Sequence, residues 1–70
     1  MGNLRDTIAN RIREIRNEKG LSQEYLSEEA GYSRTYVGQI ERGKKNPTVD
    51  AIEKIADVLD VEPWKLLKDK

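Results

Sequence analysis

An all-α, compact five-helix fold is predicted by three observations on the 70-residue chain. Apolar residues recur at three- and four-residue spacings, and Asn3, Ser22, Ser33 and Thr48 stand ahead of successive stripes as capping residues. No alternating strand pattern, internal repeat or low-complexity tract interrupts them. Length fixes the domain count: a chain this short buries only about 60% of its unfolded surface, so residues 1–70 are expected to form one domain. With no Cys and no His there is neither a disulfide staple nor a zinc cluster, and apolar packing must hold the fold alone. A cysteine-free, untargeted chain is expected in a reducing compartment, the cytoplasm.

Leu4, Ile8, Ile12 and Ile15 fall on one face of a first helix, capped by Asn3 with Asp6 at its third position and stopped by Gly20. Ser22 caps a second, with Leu21 and Leu26 spaced as a hydrophobic staple, and Gly31 ends it. Ser33 repeats the signal with Tyr32 stapled to Val37, so a third helix runs through Ile40 towards Gly43. Residues 42–47 contain no apolar side chain except Pro47 and read as a loop. Thr48 caps a fourth helix with the stripe Val49, Ile52, Ile55, Ala56 and Leu59, which Val61, Glu62 and Pro63 break. Pro63 suits the first turn of a fifth helix, with Val61 stapled to Leu66, although Glu62 is a weak cap.

Several function classes fall away. The first 19 residues carry five basic residues and no unbroken apolar run, which excludes a signal peptide or a membrane span. Glu28 and Glu29 could pass for paired carboxylates, yet adjacent helical residues point about 100° apart and no nucleophile or phosphate loop accompanies them. No enzyme, cofactor or metal is expected.

The informative block is residues 23–42, two short helices joined across Ala30, Gly31 and Tyr32. Ala30 is small where the helices approach, Gly31 supplies the positive φ of a short turn, and Leu26, Tyr32, Val37 and Ile40 pin one helix steeply on the other. Tyr25 and Tyr32 fall on the packing side, and Tyr36 is open between packing and contact with a partner. Gly38 costs about 1 kcal/mol in a helix relative to Ala, which either marks a close backbone approach or is tolerated.

In order and spacing, Arg11 to Arg16, Gly20 to Leu26, Ile40 to Gly43, Asn46-Pro47-Thr48 and Ile52 to Leu59 resemble the phage-repressor/Cro-like (Xre-type) helix-turn-helix family. The likeness covers about residues 11–67. Ser33-Arg34-Thr35-Tyr36-Val37 looks most like the controller proteins of restriction-modification systems. The resemblance implies a lambda-repressor-like DNA-binding domain and a sequence-specific transcriptional regulator whose third helix enters the major groove of double-stranded DNA. It implies base contact by Arg34, Thr35, Tyr36 and Gln39: Arg34 bidentate on guanine, Gln39 on adenine, and Thr35 or Tyr36 on a thymine methyl or a phosphate. It implies phosphate contact by Ser22, Gln23, Ser33, Arg42, Lys44, Lys45 and Asn46, which set register rather than preference. Arg16 and Glu41 match an internal ion pair of the family.

Trp64, Leu66 and Leu67 give the tail more apolar bulk than a small monomer needs, so Trp64 is expected either at an isologous homodimer contact or capping the monomer core. A two-fold dimer presents recognition helices about 34 Å apart, matching a partly palindromic operator. An antitoxin-type module that chiefly binds a partner protein is the alternative, and a helical domain without DNA binding a third. Net charge is zero, but four basic residues oppose one acidic over residues 33–47, while five acidic oppose one basic over residues 48–62. The third helix and its loop therefore form a basic patch in a neutral chain, which predicts weak non-specific binding and reliance on base contacts.

Overall fold

The computed structural model describes residues 3–69. Four α-helices follow one another, α1 (Leu4–Glu18), α2 (Gln23–Glu29), α3 (Tyr36–Glu41) and α4 (Val49–Leu59), and a single 3-10 turn over Pro63–Leu66 closes the chain. Three of the four caps are local side-chain bonds. The Asp6 N–H donates to Asn3 Oδ1 at 2.9 Å, the Tyr25 N–H to Ser22 Oγ at 2.9 Å and the Ala51 N–H to Thr48 Oγ1 at 3.0 Å. Each bond satisfies one of the amide donors that a helix start leaves unpaired.

One apolar cluster joins all the elements. Ile12, Leu26, Val37, Ile55, Leu59 and Leu66 are fully buried, with Ile8, Ile15 and Ile40 nearly so. Burying each such side chain contributes about 1.5–3 kcal/mol, the main term holding a fold without covalent staples. The ends of the stripes are different: Leu4 and Val49 are exposed because each opens its helix, before the helix meets the core. Tyr25 is also exposed, contrary to its expected place on the packing side, whereas Tyr32 is half-buried against the core.

Two further expectations are corrected. The third helix does not begin at a Ser33 cap; it starts two residues later, after Thr35, which makes no side-chain cap bond. Its early amide is satisfied from outside the segment, for the Val37 N–H donates to Ser27 Oγ at 2.9 Å, and Ser27 in turn donates to the Gln23 carbonyl at 2.7 Å. The fourth helix ends at Leu59, ahead of the Val61-Glu62-Pro63 break as the stripe predicts; Asp60 makes the stop by taking a left-handed conformation with φ 59°, and the Val61 N–H reaches back to the Ala56 carbonyl at 3.0 Å. The expected fifth helix is the single 3-10 turn, uncapped by the Glu62 side chain and anchored by Leu66 alone, with Trp64 and Leu67 left outside. One anchor offsets the cost of fixing one turn but not of propagating a longer helix.

Among the described residues no helix is long and apolar enough to cross a membrane.

Candidate nucleic-acid interface

The pairing of α2 with α3 is set by the turn between them. Gly31 adopts φ 91°, and the Tyr32 N–H returns to the Ser27 carbonyl at 3.0 Å, which reverses the chain in the space of three residues. Leu26 and Ala30 then meet Val37 and Ile40, so the inward face of α3 is committed to the core. Ser33, Arg34 and Thr35, which lead into α3, are exposed, and Gln39 one turn later is half-buried. Neither Arg34 nor Thr35 engages its side chain in a hydrogen bond within the described residues, so both lead the helix with their chemistry unused.

Beneath this surface lies a polar cluster built on Glu41, whose side chain is only 2% exposed. Arg16 grips it bidentately from α1, Nε donating to Oε2 at 2.8 Å and Nη2 to Oε1 at 3.0 Å. The Gln23 amide donates to the same Oε1 at 2.9 Å, and Arg16 Nη1 donates to the Leu21 carbonyl at 2.9 Å. Arg13 donates to the Glu41 backbone carbonyl at 2.8 Å, placing positive charge on the carboxyl end of α3 where the helix dipole favours it. One carboxylate thus ties α1, the start of α2 and the end of α3 together. Arg13 and Ser27 escaped the sequence reading. Ser27 follows Leu26 on the buried side of α2, but a serine there reads equally as solvent-facing, and Arg13 stands among four other basic residues of the first segment.

Tyr36 is more fixed than a free reading side chain. Its ring stacks on Tyr32 with centroids 4.3 Å apart and planes 17° from parallel, and Lys45 Nζ stands 5.9 Å from its centroid. On the far leaf of the stack, Lys54 Nζ lies 5.6 Å from the Tyr32 ring. Burial raises the Tyr36 hydroxyl pKa, the neighbouring Tyr32 adds to the rise, and a hydrogen bond from the Thr48 backbone opposes it. The stack therefore links the entry of α3 to the loop and to the start of α4.

Arg42, Lys44, Lys45 and Asn46 are all exposed on the loop leaving α3, which turns where the Lys44 N–H meets the Gln39 carbonyl at 2.8 Å. Ser22 and Gln23 lie at the start of α2, where the Ser22 hydroxyl is engaged as the cap. Trp64 belongs elsewhere: it sits on the 3-10 turn, which packs on α1 and α4. It is 52% exposed, with Lys65 and Lys68 Nζ 5.8 Å and 5.6 Å from its ring. Its side chain does not cap the core, a role taken by Leu66.

Comparison with known proteins accounts for this arrangement. The family model described as helix-turn-helix matches residues 12–63. Control protein C.BamHI of Bacillus amyloliquefaciens is 44% identical over 66 residues, which cover 93% of this chain and 82% of that protein. The HTH-type transcriptional regulator SinR of Bacillus subtilis is 42% identical over 64 residues, which cover 90% of this chain but only 58% of SinR. A crystal structure of SinR in complex with DNA superposes with a TM-score of 0.80 at 42% identity, over 87% of this chain and 98% of that one. The restriction-modification controller protein C.AhdI of Aeromonas hydrophila superposes at 0.83 with 45% identity, over 89% of this chain and 94% of that one. With its α2-turn-α3 geometry and about nine-tenths of its length aligned to such regulators, the chain belongs to the Cro/repressor-like helix-turn-helix family.

Proposed function

We propose that this protein is a sequence-specific DNA-binding transcriptional regulator that places α3 in the major groove of a partly palindromic operator and acts as a homodimer. The observation that carries the reading is the exposed Arg34-Thr35 lead of α3 next to a basic loop, in a fold whose relative SinR has been solved with DNA. In this reading Arg34 pairs with guanine, Gln39 with adenine, and Thr35 meets a thymine methyl or a phosphate. Tyr36, held by its stack, contributes its edge at most and chiefly fixes the entry of the helix. Ser22, Gln23, Ser33, Arg42, Lys44, Lys45 and Asn46 address phosphates and set the register. The resemblance to C.BamHI and C.AhdI favours a controller-type role.

Two measurements test it. In anisotropy titrations on duplex DNA, Lys44→Ala weakens binding to every sequence alike and flattens the dependence of log K on log salt by about one unit. A parent chain that fails to bind any duplex at low salt refutes the reading, and a Lys44→Ala variant that alters sequence preference refutes the role given to the loop. Trp64, with Leu67, is the exposed apolar surface assigned to the dimer, because burying such a surface against its two-fold copy removes it from water. In sedimentation at concentrations on the order of 10 µM, the parent chain is expected as a dimer and Trp64→Glu as a monomer. A parent that stays monomeric even on DNA contradicts the dimer.

A further inference from the structure

Gly38 stands in the middle of the six-residue α3, where glycine is unfavourable by about 1 kcal/mol relative to alanine, yet it is buried. Two side-chain tips stand nearest the place its side chain would occupy. A Cβ built on Gly38 would stand 3.0 Å from Gln23 Oε1, 3.4 Å from Gln23 Cδ and 3.1 Å from Arg42 Nη1. The missing side chain is therefore a notch in α3, into which an amide from the start of α2 and a guanidinium from the end of α3 both fit. The two tips are not equally held. Gln23 is fixed by its 2.9 Å bond to Glu41, itself locked by Arg16, whereas the exposed Arg42 side chain makes no hydrogen bond or ion pair among the described residues.

We infer that Gly38 is a positioning residue for phosphate binding: its notch seats the Arg42 guanidinium beside the Gln23 amide, so that the two groups address a single DNA phosphodiester. A methyl group at position 38 crowds both tips: Gln23, held by its bond to Glu41, gives by a few tenths of an ångström and keeps its place, whereas the unanchored Arg42 is free to leave. The guanidinium then swings off the helix into solvent, and the paired arrangement disappears while the fold is kept. The inference rests on the DNA-binding reading and adds to it a residue that itself touches no DNA. It also accounts for a glycine at a position where helix propensity argues against one.

The test is Gly38→Ala made in the parent and in an Arg42→Ala background, with a labelled random-sequence duplex about three helical turns long as probe. Binding is followed by anisotropy over a range of salt, and folding by thermal unfolding of the same samples. In the parent, Gly38→Ala is expected to weaken binding about tenfold and flatten the salt slope by about one unit, with a thermal midpoint no lower than the parent's. In the Arg42→Ala background the same change is expected to alter affinity by less than about twofold, because the group it displaces is already gone. Unchanged affinity of Gly38→Ala overturns the inference, and so does an equal loss in both backgrounds. A Gly38→Ala chain melting well below the parent also overturns it, since the crowding then falls on helix packing. Failure of the parent to bind any duplex at low salt refutes the DNA reading itself; parent binding with an unaffected variant refutes the seat alone.

Discussion

Glu41→Ala is expected to lower the stability of the folded chain by about 3–5 kcal/mol, measured by urea unfolding followed by circular dichroism. The magnitude follows from what the carboxylate leaves behind. Arg16 is only 12% exposed in its side chain and takes both Glu41 oxygens, so removing the acid strands a guanidinium in a poorly hydrated site. Gln23 loses its acceptor at the same time, loosening the start of α2 over α3. A 70-residue domain at the usual ~0.05–0.15 kcal/mol per residue has about 4–10 kcal/mol in all, so the loss is a large share of the total. Glu41→Gln keeps one acceptor oxygen and is expected to cost less than Glu41→Ala. A loss below about 1 kcal/mol for the alanine variant would show that the three-helix tie is dispensable.

Arg34→Ala has its large effect on binding instead. The side chain is exposed and unbonded among the described residues, so its removal should leave stability within about 0.5 kcal/mol of the parent. Removing a bidentate pairing with guanine should cost about 1–3 kcal/mol on the preferred site and relax preference at one base pair. Titration of the preferred duplex and of its variants at that position measures both effects. The contrast with Lys44→Ala is what gives the result meaning: deleting a phosphate ligand weakens all sequences alike, whereas deleting a base-reading side chain weakens one in particular. If Arg34→Ala reduced binding uniformly, the residue would belong with the phosphate ligands.

Much of the fold is readable because its determinants are local. Asn3, Ser22 and Thr48 cap where a capping residue precedes an apolar stripe, and Ile12, Leu26, Val37, Ile40 and Leu59 bury where the helical period puts them. The misreadings have in common a partner distant in sequence or a want of anchoring. Ser33 looks like a cap, but the Val37 amide near the start of α3 is taken by Ser27, ten residues earlier. The end of α4 at Leu59 is legible from the break that follows it, but the left-handed conformation of Asp60 that makes the stop, more usual for glycine or asparagine, is not marked in the spacing. The final helix shrinks to one turn because Leu66 alone reaches the core. In the candidate interface the exposed cations are legible as a charge segregation hidden in a neutral total. The Tyr32–Tyr36 stack and the crowding over Gly38 are not, since both depend on how α3 sits against α2 and the loop.

Selection of bound sites from random duplex DNA is the sharpest test of base reading by α3, because binding, preference and symmetry are read together. Enrichment of a partly palindromic sequence with half-sites about one helical turn apart is expected, with preference at one base pair in each half-site disappearing when the selection is repeated with Arg34→Ala. A pool that remains random after repeated rounds, or an enriched sequence that Arg34→Ala selects unchanged, would refute it.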